Sequence, residues 1–172
     1  MDIYIIEISC ADKVSDETLK EFCKKDITNP NVYKAHTLAY LMVDRILKEV
    51  YKIEDREVIF VDKKPMLKNK QKYFSISHSG DYIALAFADS NCGVDIEKIK
   101  LREFATISER MGFEATTLGE FYQEWTQYEA IYKLGLDSVC GSYANYELEG
   151  YALTAVSEDQ FEEYELFSQV EE

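Results

Sequence analysis

The sequence predicts an α+β fold with mostly antiparallel sheets and with helices packed on one face. Segments with helical periodicity stand in pairs beside runs of short segments with strand composition. The order strand–helix–helix–strands occurs twice, so the second half loosely echoes the first. No linker rich in Pro, Gly or Ser divides the chain. We therefore expect one compact unit of two similar subdomains, residues 1–90 and residues 91–172.

The first half opens with a predicted strand over Ile3–Ile8, followed by two predicted helices. The first of these covers Val14–Lys25. The second begins at Asn29-Pro30, where Asn is a favourable N-cap and Pro a favourable first residue, and runs to about Tyr51. Apolar residues recur in it at spacings of three and four, which predicts one buried face. That face comprises Ala35, Leu38, Met42, Ile46 and Val50.

Four short segments with strand composition follow, with turn residues between them. A basic loop over residues 63–72 separates the first segment from the others. His78–Asp81 is predicted to be a turn that joins two strands in a hairpin. The predicted strands are Val58–Val61, Tyr73–Ser77, Tyr82–Ala88 and Gly93–Glu97.

The second half again contains two predicted helices followed by strands. The first helix covers Leu101–Arg110, and Thr117 with Glu120 forms a capping-box pattern that opens the second. Three strands are predicted after it, the first two joined by a turn at Glu149-Gly150. The apolar face of the second helix is predicted to comprise Leu118, Phe121, Trp125, Tyr128 and Tyr132. The strands are Tyr143–Leu148, Tyr151–Val156 and Glu163–Phe167.

The composition argues against several classes of partner. A net charge of −14 disfavours nucleic acid, because its phosphates are bound mainly by Lys and Arg. No apolar run approaches the length of a membrane span, and the first residues lack the pattern of a signal peptide, so we expect no membrane partner. The cysteines lack zinc-type spacing and are expected to be reduced thiols in a cytoplasmic protein.

Basic and acidic side chains are unevenly distributed along the chain. Acidic residues continue after Lys133, but no Lys or Arg follows it. A cluster of lysines lies in the basic loop, opposed only by Asp62. Such a run is usually a solvated loop, but on an acidic protein it is also a place where an anionic ligand can bind. The lysines are Lys63, Lys64, Lys68, Lys70 and Lys72.

Two stretches have side chains that could carry chemistry together. Asp95 and Glu97 are two apart in a predicted strand and therefore project from the same face. Glu129 and Lys133 are four apart in a predicted helix and therefore lie on the same side. Three carboxylates beside one ammonium group suit Mg²⁺ and a phosphate, because Mg²⁺ prefers oxygen ligands. The alternative is that all four are ordinary surface residues, with Lys133 paired to Glu129.

A third candidate is His78, which Ser77 and Ser79 flank. These side chains either form hydrogen bonds within a turn or bind phosphate or ribose hydroxyls. Other catalytic patterns are absent from the sequence. It contains no Ser-His-Asp or Cys-His arrangement, no P-loop and no Gly-x-Gly-x-x-Gly motif, and its two histidines are too far apart to indicate zinc.

Four motifs resemble those of the Sfp-type 4′-phosphopantetheinyl transferases. They are Lys64-Pro65, Phe74–Ser79, Gly93–Glu97 and Trp125–Lys133. Each motif is weak by itself. Their occurrence together, in the same order and at matching separations, makes the resemblance specific.

The resemblance implies a fold and an activity. Members of that family are pseudo-dimers of two similar α+β halves, with coenzyme A and Mg²⁺ bound between them, and we expect a monomer. They transfer the phosphopantetheine arm of coenzyme A to a serine of an apo acyl or peptidyl carrier protein. The other product is adenosine 3′,5′-bisphosphate. Because the nucleophile comes from the carrier, the absence of a nucleophile motif from this chain agrees with the resemblance.

The resemblance also assigns roles to individual residues. Asp95, Glu97 and Glu129 match the Mg²⁺ ligands, and Glu129 also matches the residue that helps to deprotonate the carrier serine. Lys133 matches the lysine that contacts the pyrophosphate and aids the leaving group. The expected catalytic residues are thus Asp95, Glu129 and Lys133. Nucleotide contacts are implied for Ser77 and His78 at the 3′-phosphate end and for Lys64 near the adenine.

The sequence departs from the family pattern at several positions. Tyr128 stands where the family has a Lys, and Ser75 stands where it usually has an Asn. His36, with Lys34 close by, holds the position of an Arg that binds the 3′-phosphate, so a weaker phosphate contact is expected. Two alternatives stay open. One is a family member that binds coenzyme A or a carrier domain without efficient transfer, and the other is an unrelated α+β protein with accidental motifs.

Overall fold

The computed structural model describes residues 1–135, 140–159 and 165–168, and its elements confirm the predicted α+β class. They follow the predicted order, with an additional strand and with a 3₁₀ helix at Ile8–Lys13. The helices are α1 (Asp16–Glu21), α2 (Pro30–Glu49), α3 (Ala105–Met111) and α4 (Leu118–Tyr132). The strands are β1 (Asp2–Glu7), β2 (Val58–Val61), β3 (Lys64–Leu67), β4 (Tyr73–Ser79), β5 (Tyr82–Ala88), β6 (Cys92–Lys98), β7 (Ser142–Leu148), β8 (Tyr151–Ser157) and β9 (Glu165–Ser168).

The strands form two larger sheets and one separate hairpin. The first sheet has the order β4-β5-β1-β9 and is antiparallel except for β1 and β9, which run parallel. The second sheet has the order β6-β8-β7 and is antiparallel throughout. Strands β2 and β3 form the hairpin. Mostly antiparallel pairing is therefore confirmed, while the pseudo-dimer and the boundary after residue 90 stay predictions.

The two larger sheets stack on each other, with one long helix on each outer side. Helix α2 covers the first sheet, where Leu38 and Phe87 belong to the same core cluster. The opposite face of that sheet contacts the second sheet through small side chains of β5, such as Ala84, and through Val94 of β6. Helix α4 lies on the outer face of the second sheet, with Ala130 fully buried. Each long helix thus packs on one face of its sheet.

Capping side chains mark the first residues of α1, α2 and α4. The hydroxyl of Ser15 accepts a hydrogen bond from the backbone N–H of Thr18, and the side chain of Asn29 caps α2 ahead of Pro30. At α4 both bonds of the Thr117–Glu120 capping box are present. Among the described residues, no helix combines the length and apolar composition that crossing a bilayer requires.

The predicted turn at His78–Asp81 is shorter than expected. His78 and Ser79 continue β4, opposite Ile83 and Tyr82 of β5, so the turn consists of Gly80 and Asp81. Gly80 has φ of 59°, which glycine adopts without strain. The consequence is that Ser77 and Ser79 point to one face of the first sheet and His78 to the other.

The basic loop is also partly strand. Residues Lys64–Leu67 form β3, which pairs with β2 in antiparallel register, so only the remainder of residues 63–72 is irregular. The chain reverses at Asp62 and Lys63, which have left-handed φ values of 48° and 70°. Neither position is a glycine, so the sequence pattern does not indicate this turn.

The buried face of α4 differs from the predicted apolar stripe. Tyr128 and Tyr132 are 44% and 65% exposed, although both were expected to be packed. The helix instead contacts the sheet through a face that includes small and polar residues, and the small residue Ala130 lies where α4 approaches β6 most closely. The buried residues of α4 are Phe121, Tyr122, Thr126 and Ala130.

The remaining differences concern the ends of elements. Val50 is 54% exposed rather than buried, because α2 ends one residue before it. Helices α1 and α3 are shorter than predicted. The last predicted strand is partly confirmed as β9, but Glu163 lies outside the described residues.

Gly93 explains the close approach of α4 to β6. A Cβ atom at this position would lie 2.1 Å from the backbone oxygen of Ala130 and 3.1 Å from Cγ2 of Val156. Any side chain at position 93 therefore forces the helix away from the sheet. Because Glu129 precedes Ala130, such a shift also moves Glu129 relative to β6.

We predict that Gly93→Ala lowers the free energy of unfolding by about 1–3 kcal/mol, because the added methyl group overpacks the contact with α4. Gly119→Ala is the matched control. A Cβ there meets nothing within 4 Å, so this change is neutral or stabilises the helix by up to about 1 kcal/mol. Urea denaturation measures both. Equal stability of the Gly93→Ala variant and the wild type would contradict the close approach.

Candidate active site

The candidate site forms along the free edge of β6. In the described part of the chain β6 pairs with β8 alone, and its other edge faces β4. Three serine hydroxyls of β4 accept hydrogen bonds from backbone N–H groups on that edge, where a neighbouring strand would normally supply carbonyls. We call these three bonds the serine ladder. They join Ser75 to Val94 (3.0 Å), Ser77 to Ile96 (3.3 Å) and Ser79 to Lys98 (3.0 Å).

Two hydroxyls of the serine ladder also bind the predicted carboxylates. Ser77 Oγ donates to Asp95 Oδ1 at 2.8 Å, and Ser79 Oγ donates to Glu97 Oε2 at 2.8 Å. Asp95 and Glu97 therefore project from one face of β6, as their spacing predicted. Asp95 is only 5% exposed, whereas Glu97 is partly accessible to solvent.

Lys133 joins α4 to the same carboxylate. Its Nζ donates to Asp95 Oδ1 and to the backbone oxygen of Val94, both at 2.8 Å. The ion pair of Lys133 is thus with Asp95, and not with Glu129 as the simplest interpretation of their helical spacing suggested. The structure therefore brings the Glu–Lys stretch of α4 to the Asp–Glu stretch of β6.

Asp95 Oδ2 is the unusual atom of this site. It is buried and has no hydrogen-bond partner, although Oδ1 of the same carboxylate accepts two bonds. An unpaired buried carboxylate oxygen is costly, so the position favours a ligand that supplies positive charge. The acidic side chains nearby carry the oxygen ligands that Mg²⁺ prefers, so their chemistry, though not their present spacing, suits such an ion.

Glu97 and Glu129 interact electrostatically with Asp95. Burial, and then the charge of Asp95, raises the pKa of Glu129 above its ordinary value, against the opposing effect of Lys133. Burial also raises the pKa of Glu97, with Asp95 and Glu129 adding to the effect and the Ser79 bond and Lys133 opposing it. Within the described ranges, however, no three acidic, His or Cys side chains are grouped tightly enough to hold a metal ion.

Basic side chains lie beside this site. Burial lowers the pKa of His78, and the positive charges of Lys133 and Lys25 lower it further. His36 is close enough to interact with His78, Lys24 and Lys25. Lys24 and Lys25 are not among the predicted site residues, and the one sequence feature that indicates them is that two adjacent lysines follow α1. These groups form a basic end of the site.

A groove of about 460 Å³ lies next to His78. The 3₁₀ helix, the first turns of α2 and the β4–β5 turn form its walls, and its lining includes Lys34 and Asp81. Lys34 Nζ is 2.5 Å from Asp12 Oδ1, so part of its charge is already compensated. The groove therefore offers both basic and acidic groups.

His36 is held in its neutral form. Its Nε2 accepts a hydrogen bond from the backbone N–H of Lys24 at 3.2 Å. Burial, followed by the charges of Lys25, His78 and Lys24, lowers the pKa of His36 to about 4. A neutral ring with one nitrogen already occupied is a poor phosphate ligand compared with arginine.

Lys64, the first residue of β3, contacts the start of β6 through its side chain. Its Nζ donates to Asn91 Oδ1 and, at 3.1 Å, to the backbone oxygen of Cys92. Burial lowers the pKa of Lys64, while Cys92 and Glu158 oppose the shift. Lys64 therefore attaches the β2–β3 hairpin to β6, and it does not line the groove beside His78.

The candidate site combines two carboxylates on one strand, a third on a helix, a partly buried lysine between them and a basic end. Such a site suits a cation and a phosphate. Comparison with known proteins agrees with the resemblance seen in the motifs. The chain is 30% identical over 113 residues to the 4′-phosphopantetheinyl transferase psf-1 of Bacillus pumilus, which covers 56% of this chain and 48% of that protein. The chain thus spans about half the length of this curated relative. No family model matches the chain.

The lowered pKa of His36 predicts a specific pH dependence of stability. The folded protein resists protonating this ring, whereas the unfolded chain binds the proton near pH 6.5. Stability linked to His36 is therefore complete above that pH and is lost as the pH falls toward about 4. Because the ring is only partly buried, solvent screening reduces this effect, and we expect the wild type to lose about 1 kcal/mol more than His36→Gln between about pH 7.5 and about pH 4.5.

Urea denaturation at the two pH values measures this difference, and the Gln amide preserves an acceptor for the Lys24 N–H. An NMR titration of the wild type provides a direct control, because one histidine ring should titrate near pH 4. Titration of both rings near their ordinary pKa would contradict the burial of His36.

Proposed function

We propose that this chain transfers the 4′-phosphopantetheine arm of coenzyme A to a serine of an apo acyl or peptidyl carrier protein, with Mg²⁺, and releases adenosine 3′,5′-bisphosphate. The contact of Lys133 with Asp95 carries this proposal, because it brings the two stretches with the expected site residues together. The four ordered motifs and the similarity to a phosphopantetheinyl transferase give independent support.

Three carboxylates would hold the cation. Asp95 would contribute the unpaired Oδ2. Glu97 and Glu129 would contribute carboxylate oxygens of their partly exposed side chains. Because these three are not grouped tightly without an ion, Glu97 or Glu129 has to rotate toward Asp95. Bound Mg²⁺ would neutralise the charge of the pyrophosphate as the phosphoanhydride bond breaks.

The protein's own residues account for binding and proton transfer. Glu129 accepts the proton of the carrier serine, directly or through a water. The serine oxygen then forms a bond to the β-phosphorus, and the bond from that phosphorus to the bridging oxygen breaks. Lys133 stabilises the phosphate that leaves with the nucleotide. His78, Lys24 and Lys25 supply donors and positive charge for the anionic end of the nucleotide.

A second candidate function is binding without efficient transfer. It is favoured by Tyr128, which is 44% exposed beside Glu129 where the family pattern has a lysine. The neutral state of His36 also favours binding without efficient transfer, since the family pattern has an arginine at that position. Under this alternative the chain binds coenzyme A or a carrier domain, but turnover is slow.

We predict that Glu129→Gln reduces transfer at least about 100-fold, because the amide cannot accept the serine proton. The protein is incubated with apo carrier protein, coenzyme A and Mg²⁺, and mass spectrometry detects the phosphopantetheine increment on the carrier. Glu124→Gln is the matched control, because Glu124 lies on the same helix and accepts a hydrogen bond from the N–H of Glu114 at 3.0 Å.

Transfer that survives Glu129→Gln undiminished would exclude this role. Binding of coenzyme A by the wild type without any transfer would favour the second candidate. The absence of both binding and transfer would overturn the resemblance as a guide to function.

We further predict that Tyr128→Lys increases transfer by lowering the KM for coenzyme A about tenfold, because an ammonium group beside Glu129 can contact phosphate. Tyr128 is exposed and its ring contacts Phe113 and Trp125, so the change costs little core packing. Tyr132→Lys adds the same charge one turn later and should have a smaller effect. Steady-state kinetics with varied coenzyme A distinguishes the two. Equal changes in KM for both variants would indicate a general charge effect.

A further inference from the structure

We propose that Ser77 and Ser79 are positioning residues that orient Asp95 and Glu97 toward a shared cation, rather than ligands of the nucleotide. This inference rests on the proposed function, because it concerns the cation of that reaction. The serine ladder supports it, since the hydroxyls of Ser77 and Ser79 each connect β4 to both the backbone and a carboxylate of β6.

The hydrogen-bonding capacity of Ser77 is already used. A serine hydroxyl has one proton to donate, and that of Ser77 goes to Asp95 Oδ1. The same oxygen accepts the backbone N–H of Ile96 at 3.3 Å. Ser77 is 9% exposed. To donate to a phosphate, as the resemblance implies, it would have to release Asp95, which is buried and would lose a partner.

The bond from Ser77 determines which oxygen of Asp95 is available. Oδ1 accepts from both Ser77 and Lys133, so Oδ2 is the atom left without a partner. Two donors on one oxygen fix the plane of the carboxylate and prevent the two oxygens from exchanging places. Ser77 and Lys133 thus hold one cation ligand in a fixed orientation, which reduces the ordering cost of binding.

Ser79 repeats this arrangement two residues further along both strands. It accepts from the backbone N–H of Lys98 and donates to Glu97 Oε2, so that Oε1 is left for other partners. The repeat follows from the two-residue period of β-strands. Glu97 is less buried than Asp95, so its orientation depends more strongly on this hydrogen bond.

Ser75 provides a matched control within the same ladder. It accepts the backbone N–H of Val94 at 3.0 Å and is as buried as Ser77, but it bonds to no carboxylate of the described residues. Removing its hydroxyl therefore tests the loss of one rung of the ladder without touching Asp95 or Glu97.

The test is the affinity for Mn²⁺, a paramagnetic substitute for Mg²⁺, measured by EPR titration of the full chain with and without coenzyme A. We expect Ser77→Ala and Ser79→Ala to weaken Mn²⁺ binding about 10-fold to 100-fold, the usual effect of removing a partner of a metal ligand. Ser75→Ala should leave it unchanged. Ser79→Thr, which keeps the hydroxyl, should restore it. Melting temperatures report whether each variant is folded, and Ser79 is the informative position if Ser77→Ala unfolds the chain.

Equal Mn²⁺ affinities of Ser79→Ala, Ser75→Ala and the wild type would overturn the positioning role and leave the proposed function intact. A wild type that binds no Mn²⁺ in either condition would overturn both. A Ser79→Ala variant whose KM for coenzyme A rises while its Mn²⁺ affinity is unchanged would instead indicate a nucleotide contact and also overturn the positioning role.

Discussion

The free edge of β6 is the constraint on which the rest of the structure depends. Buried backbone groups require partners, and here side chains supply them instead of a neighbouring strand. Serines of β4 accept its N–H groups, while Lys64 and Lys133 donate to its carbonyls at Cys92 and Val94. The hairpin, the first sheet and α4 therefore all meet on a single edge. The candidate site is located there because that edge already requires polar side chains.

This arrangement also places positive charge beside the carboxylates of the candidate site. The chain carries a net charge of −14, yet a lysine is fixed beside Asp95 and further basic groups lie around His78. This ion pair, with Asp95 buried and Lys133 partly buried, contributes little net stability, because desolvation offsets the Coulomb attraction. Its value here is geometric, since Lys133 fixes the position of α4 and orients Asp95 in one contact. The cost of the unpaired Oδ2 remains, which is consistent with a site preserved for binding rather than for stability.

Local physics explains which parts of the fold and site were predictable. The two-residue period of a strand places Asp95 and Glu97 on one face, and capping side chains define where α2 and α4 begin. Long-range contacts decide the rest. The partner of Lys133 depends on how α4 packs, and that packing depends on Gly93, which lets the backbone of Ala130 approach β6 closely. Likewise, no pattern within β4 reveals that its serines pair with β6 rather than with solvent.

The parallel pairing of β1 with β9 has a consequence for how the chain folds. It joins the first strand to residues 165–168, nearly the full length of the sequence away. Loop-closure entropy makes such non-local contacts slow to form, so the first sheet reaches its full width late in folding. Until then one edge of β1 is open to pairing with another chain. During synthesis, residues 1–90 cannot complete this sheet by themselves. The first sheet is complete only after residues 165–168 have been synthesised and β9 has paired with β1.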